Sequence, residues 1–206
     1  IESEGHRYRT RLVVRRPRPA DFNGVVVVEW MNVTGGVDKD IDWWQSGEHL
    51  VGNGYAYVFV SAQQMGIDNI TNWSPERYAG LDATHDGMVT GDASSYDIFS
   101  AVAHSIIRQG QALPTGAVDI LAGLKARQII ATGHSQSASR LATYINGIHT
   151  LDPVFDGFRE MPEEMYSGSN TADTYAGATG NVTIANGGSL QMGIAGDGIA
   201  DIFVGN

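Results

Sequence analysis

The sequence has no cysteine, few basic residues and no long apolar run. Without cysteine, the chain has no disulfide, no thiolate metal ligand and no cysteine nucleophile. Thirteen lysine and arginine residues face 23 aspartate and glutamate residues, and the net charge is −10. Nucleic acids and anionic membranes are negatively charged and would repel so acidic a protein. We therefore expect neither as a partner. No stretch reaches the ~18 apolar residues of a membrane-spanning helix, so no membrane span is predicted.

Methionine is also missing at the start, where the sequence reads Ile1-Glu2. We interpret this as a processed chain or a fragment, with any signal peptide already removed. A soluble protein is expected, and a secreted or periplasmic location after processing stays open. The sequence favours no particular compartment and no oligomeric state.

Strands and helices alternate along the first 160 residues of the 206-residue chain. Continuous β-branched or apolar runs indicate strands that are buried on both faces, at 25–28, 55–60 and 128–132. Apolar periodicity and glycine stops predict helices at 43–52, 94–109 and 135–146, with a helical turn or two at 118–124. This alternation indicates right-handed crossovers and an α/β fold with a doubly wound, mostly parallel sheet.

Two further segments complete the core pattern. Residues 7–15 alternate between arginine and apolar or hydroxyl side chains, which predicts a half-exposed strand near a sheet edge. We interpret the arginine face as a solvated face rather than a phosphate-binding stripe. The long stretch 61–91 is polar and is expected to be a loop.

The composition changes after Arg159, because no lysine or arginine follows and glycine becomes frequent. Short strands are predicted there, at 182–184, 190–192 and 199–204. We therefore divide the chain into a core, 1–159, and a Gly-rich, β-rich segment, 160–206, to which no role is assigned.

The motif that carries chemistry is Gly133-His134-Ser135-Gln136-Ser137, between the strand at 128–132 and a helix. It matches the nucleophile elbow G-x-S-x-G, with Ser137 replacing the last glycine. So sharp a turn strains the backbone of Ser135 and holds its hydroxyl over the helix N-terminus. The Gln136 N–H is then a candidate oxyanion donor. The alternative is an ordinary strand–helix turn with Ser135 as the N-cap.

Several segments in order resemble the α/β-hydrolase superfamily over residues 7–159, and within it the group called alpha/beta hydrolase domain proteins. The segments are Val26-Val-Val-Glu-Trp-Met-Asn-Val-Thr-Gly-Gly, Val58-Phe-Val-Ser-Ala-Gln, Ser95-Tyr-Asp-Ile-Phe-Ser, Gly133-His-Ser-Gln-Ser-Ala and Phe155-Asp-Gly-Phe. The resemblance implies an esterase-type serine hydrolase with Ser135 as its nucleophile. It also implies a second backbone oxyanion donor in the loop after the first buried strand, at Asn32 or Val33.

The acid and the histidine of a triad stay unassigned. In this superfamily they follow the serine, and His149 is the only later histidine. A helix would carry it ~20 Å from Ser135, too far for a base. Asp197 and Asp201 are candidate acids only if the tail completes the sheet. The Gly-rich turns of the tail and its lack of histidine argue against this, so we expect a sheet that is incomplete at its C-terminal end.

The other five histidines precede Ser135 and are interpreted individually. We expect His134 to pack away from the turn and His104 to be half-buried. His6 and His49 are expected on the surface, and His85 is the one histidine considered near a pocket.

The alternating acids Asp38, Asp40 and Asp42 lack the glycine and terminal glutamate of a calcium loop, so we interpret them as loop residues that cap the next helix. Of the adjacent Trp43 and Trp44, at most one is expected to reach the core. No nucleotide-binding motif and no histidine-based metal spacing occurs, so no cofactor and no metal are expected.

The favoured hypothesis is a carboxylic ester hydrolase that acts on a small-molecule ester through an acyl-enzyme. A non-catalytic α/β-hydrolase-like binding module, or an inactive fragment without the triad histidine, is the alternative. A third hypothesis makes the Gly-rich end a β-rich interaction segment on a hydrolase fragment.

Overall fold

A computed structural model describes residues 6–161 and three later strands, and it describes side chains for residues 6–159. The later strands are β6 (Val182–Ile184), β7 (Gly188–Ile194) and β8 (Ala200–Val204). No helix within the described ranges is long and apolar enough to cross a bilayer.

One five-stranded sheet organises the described core. Its strands are β1 (Leu12–Arg15), β2 (Val25–Trp30), β3 (Ala56–Val60), β4 (Gln128–His134) and β5 (Gly157–Met161). Their spatial order is β1-β3-β2-β4-β5, and only β1, at one edge, is antiparallel to its neighbour. The mostly parallel sheet and the N-terminal edge strand are as predicted.

Helices cover both faces of this sheet, which confirms the doubly wound architecture. They are α1 (Ile41–Gly52), α2 (Gln64–Trp73), α3 (Pro75–Tyr78), α4 (Ser95–Ser105) and α5 (Gln136–Gly147). Because side chains alternate along a strand, β2 and β3 feed two separate apolar clusters. The larger cluster includes residues of α2, α4 and α5, and the smaller one lies under α1.

Three sequence predictions about local structure were wrong. The stretch 61–91 is not all loop, because it contains α2 and α3, and α2 buries Ile67 and Ile70. The helix predicted to reach 109 ends at Ser105, since Ile106 turns extended (φ −83°, ψ 114°) while remaining buried. The segment 118–124 forms turns only, with a positive φ at Ala122.

The predicted strands of the C-terminal segment are present, and they form an antiparallel three-stranded sheet in the order β6-β7-β8. The turns between them lie outside the described residues. The division of the chain at residue 159 stays a prediction.

Candidate active site

Ser135 stands between the end of β4 and the start of α5 with φ 54° and ψ −113°. A positive φ is uncommon for a residue with a side chain and persists only where the surroundings enforce it. This is the strained turn that the elbow motif predicts.

Close contact between β4 and α5 enforces the turn. A Cβ atom on Gly133 would lie 3.0 Å from the Ser137 carbonyl carbon and oxygen, so only glycine fits without a shift. Ser137 is fully buried, and its Oγ accepts the His134 N–H at 2.9 Å and donates to the His134 carbonyl at 3.0 Å. The side chain of Ser137 therefore stabilises the turn at the position where the motif usually has glycine.

Two backbone N–H groups are suitable oxyanion donors. No described residue accepts a hydrogen bond from the Gln136 N–H, which lies in the first turn of α5, where such groups are free. The Val33 N–H points to the side-chain Oε1 of Gln136 at a long 3.5 Å, a contact that an oxyanion could replace.

Asn32 does not fit the donor role proposed for it from the sequence. Its backbone N–H donates to the Lys39 carbonyl at 3.0 Å and is therefore occupied. Its side-chain Nδ2 donates instead to the His134 carbonyl at 2.7 Å, and its Oδ1 accepts the Thr34 N–H. Asn32 thus supports the turn from the loop after β2.

Gln63 is a site residue that sequence reasoning missed. Its Oε1 accepts hydrogen bonds from the Gln136 side chain at 3.0 Å and from the Trp30 indole at 3.2 Å. Its Nε2 donates to Asp92 at 3.1 Å, and Asp92 lies 3.6 Å from Arg140 of α5. Gln63 follows β3, and the carboxyl ends of parallel strands meet at one edge, which is the signal that could have found it.

A buried acidic cluster lies between the sheet and α1, at the end of β4. It consists of Glu29, Asp42, Tyr57, Thr132 and His134, all at most 7% exposed. Burial, and then the charge of Asp42, raises the pKa of Glu29 to about 8. Burial also raises the pKa of Tyr57 well above its usual value. His134 thus packs away from the turn, as predicted.

The interpretation of the three aspartates as helix-capping loop residues was wrong. The Asp40 side chain caps nothing, and Asp42 is fully buried in the cluster. The side chain of Asp38 is buried too, and it pairs with Arg11 at 3.2 Å and accepts a hydrogen bond from the Ser61 hydroxyl. Burial raises the pKa of Asp38 despite these two partners. Only Trp43 of the tryptophan pair joins the core, as expected, and Trp44 is exposed.

Three histidines lie at or just after the C-terminal ends of helices. His49 is exposed in the last turn of α1. His104 is also exposed, not half-buried as predicted, and its Nε2 lies 2.9 Å from Asp152. His149 follows α5 and is buried against Phe158, where burial lowers its pKa. None of these contacts directs a ring nitrogen toward Ser135.

His6 and His85 pair with each other, their Nδ1 atoms 3.0 Å apart, beside a cleft of about 540 Å³. His85 therefore lines this cleft. Arg7, Arg9, Asp82 and Asp86 also line it, and Ser135 does not.

No triad acid can be assigned from the tail. Asp197 lies outside the described residues, and Asp201 belongs to β8, where only the backbone is described. Among the described residues, no group of three or more histidine and acidic side chains could hold a metal ion.

The geometry agrees with comparison to known families. A family model described as alpha/beta hydrolase domain matches residues 1–184. The chain belongs to the alpha/beta hydrolase domain family. The match extends beyond residue 159, through β6. No curated protein matches the chain.

Membership in the alpha/beta hydrolase domain family supports a hydrolase in general. It agrees with the five-stranded, mostly parallel sheet with helices on both faces. The family is also compatible with a small-molecule substrate.

Proposed function

We propose that this alpha/beta hydrolase domain protein is a serine hydrolase that cleaves carboxylic esters with Ser135 as its nucleophile. The observation that carries the proposal is the positive φ of Ser135 at the junction of a parallel strand and a helix. An ordinary N-cap serine needs no such strain, because N-cap residues usually adopt extended dihedrals. The strain therefore favours the nucleophile over the N-cap alternative.

The proposed reaction proceeds through an acyl-enzyme. The Ser135 Oγ attacks the ester carbonyl carbon, its proton passes to a general base, and the carbonyl electrons move onto oxygen. The N–H groups of Gln136 and Val33 stabilise this oxyanion. Collapse of the intermediate expels the alcohol, which takes up a proton, and water then releases the acid and frees Ser135.

The proposal is tested by hydrolysis of a short chromogenic ester with the wild-type chain and two variants. Ser135→Ala removes the nucleophile and should abolish hydrolysis. Ser105→Ala removes a hydroxyl at the end of α4 that donates only to the Val102 carbonyl, and it should leave the rate unchanged. Equal rates in wild type and Ser135→Ala would contradict the proposal.

A non-catalytic binding module is a second candidate, and the positions of the histidines favour it. The described contacts of His104 and His149 are with Asp152 and Phe158, and a binding module needs no histidine base. A module of this kind would bind an ester without turnover. Saturable binding by calorimetry, together with no product from the same ester, would support it over the hydrolase.

A further inference from the structure

Asp42, in the first turn of α1, contacts Thr132 and His134 at the end of β4, just before Ser135 in the sequence. Its Oδ2 accepts the hydroxyl hydrogen bond of Thr132, and its Oδ1 lies 3.6 Å from the Nδ1 of His134. We propose that Asp42 is a positioning residue for Ser135, and that its buried carboxylate fixes the last residues of β4. This inference rests on the proposed function.

The burial of Asp42 explains why its carboxyl group needs the contacts with Thr132 and His134. Asp42 is fully buried, and a buried carboxylate is costly unless donors or a cation compensate it. Among the described residues, no hydrogen bond reaches its Oδ1. The Nδ1 of His134 lies 3.6 Å from this oxygen, so an N–H on that ring would help to compensate the carboxylate.

Glu29 places a second buried carboxyl group beside Asp42. Its Oε1 accepts the Asp42 backbone N–H at 2.9 Å, and its Oε2 accepts the Tyr57 hydroxyl at 3.1 Å. Two adjacent buried carboxyls rarely ionise together. Because burial raises the pKa of Glu29 to about 8, Glu29 holds its proton at neutral pH.

Other charged groups face this cluster from the neighbouring elements. Asp40, just before α1, raises the pKa of Glu29 by charge repulsion, and Arg159 of β5 lowers that of Tyr57. His134 of β4 completes the set. Ionisation of Glu29 would therefore add a negative charge next to Asp42 with little local compensation.

The effect reaches Ser135 through His134. The ring of His134 faces Asp42, and its carbonyl accepts hydrogen bonds from Asn32 at 2.7 Å and from Ser137 at 3.0 Å. Asp42 thus restrains the side chain of His134, and Asn32 and Ser137 restrain its backbone carbonyl. A strained backbone conformation persists only under such restraint, so loosening Asp42 should let Ser135 relax out of its reactive geometry.

The test is the rate at which a fluorophosphonate probe labels Ser135 in the full chain. Asp42→Asn keeps the shape and removes the charge, and it should slow labelling about tenfold or more, as small misplacements of reacting groups do. Asp40→Asn is the matched control, because it removes a carboxylate two residues earlier that caps no N–H and has the smallest of the effects on Glu29. Its labelling rate should equal that of wild type.

A second pair of variants tests the contact from the strand. Thr132→Val removes the hydroxyl that donates to Asp42, while Thr132→Ser retains it. Labelling should slow in the valine variant and persist in the serine variant. Equal rates in these two variants would contradict a role for this hydrogen bond.

The pH profile separates positioning from a merely structural role. In wild type, labelling should weaken as the pH rises through about 8, because Glu29 then ionises beside Asp42. Glu29→Gln keeps a neutral group of the same size and should remove this decline. A decline that persists in Glu29→Gln counts against the proposal.

Two results would overturn the inference or separate it from the proposed function. Equal labelling of Asp42→Asn and Asp40→Asn overturns the positioning role. If wild type itself does not react at Ser135, the proposed function has failed. Hydrogen exchange of the His134 and Ser139 amides then tests the positioning role by itself. These two N–H groups donate to Ser137 and Ser135 and so report on the turn. Faster exchange in Asp42→Asn than in Asp40→Asn supports positioning, and equal exchange overturns it.

Discussion

Ser135 stores backbone strain at the point where its hydroxyl would react. Its φ of 54° is accommodated by Gly133 and by the hydrogen bonds of Ser137 across the turn. Such conformations cost on the order of 1–3 kcal/mol and persist where the surroundings over-determine them. A glycine at position 135 would not be strained, so the strain should be measurable as a gain in the free energy of unfolding.

Replacement of Ser135 by glycine should stabilise the fold relative to replacement by alanine. Both variants lack the hydroxyl, but only glycine adopts the positive φ without a steric penalty. We expect Ser135→Gly to exceed Ser135→Ala in free energy of unfolding by about 1 kcal/mol, from denaturant titrations. A more stable alanine variant would show that Ser135 is not strained.

The burial of Glu29 should make the stability of the fold depend on pH. The folded pKa of about 8 lies above the usual 4.5, so between these values the folded state holds a proton that the unfolded state has lost. This contribution is therefore complete below pH 4.5 and is lost as the pH rises through about 8. Unfolding titrations should show a decline of up to about 1.4 kcal/mol per pH unit. Glu29→Gln should flatten it, and an equal decline in both proteins would contradict the burial argument.

At the scale of elements, the junction between β4 and α5 was predictable and the cluster below it was not. The elbow is local, because five consecutive residues specify a turn between two recognisable elements. The cluster joins Glu29, Asp42 and Thr132 from three elements, and no spacing in the sequence encodes that contact. One signal was present, since Glu29 interrupts a run of apolar residues in a strand that is buried on both faces.

The helix α2 shows the same difference between local and long-range information. Its inward face consists of Gly66, Ile67 and Ile70, and the remaining residues are largely polar. Only two large apolar side chains, Ile67 and Ile70, mark the buried face of α2, so packing against the sheet stabilises this helix more than its own sequence does. The segment therefore resembled a polar loop.

Gly133→Ala tests the junction between β4 and α5. The new Cβ would lie 3.0 Å from backbone atoms of Ser137, so the strand and the helix would have to separate. We expect a loss of about 1–3 kcal/mol in the free energy of unfolding. Gly147→Ala, at the end of α5 with open space around its Cβ, is the matched control and should cost nothing. Equal stability in the two variants would contradict the close packing.

At the scale of the whole molecule, the described apolar core draws on residues between Val26 and Phe158. Among the described strands, β5 forms one edge of the five-stranded sheet, and the three later strands pair with one another in a second sheet. The predicted division near residue 159 implies that the core folds by itself, although the family match continues to residue 184.

A chain that ends after Met161 should therefore fold without the rest. It retains β5 and all the residues of the described core. We expect cooperative unfolding with a midpoint close to that of the full chain, followed by circular dichroism in urea. Loss of cooperative unfolding would show that the Gly-rich segment belongs to the core.

Labelling of the folded full chain with a fluorophosphonate, followed by mass spectrometry of the modified peptide, tests the central claim most directly. Such probes react quickly only with an activated serine. We expect a single adduct on Ser135 that disappears in Ser135→Ala. Folded protein without an adduct at Ser135 would contradict the assignment of the nucleophile.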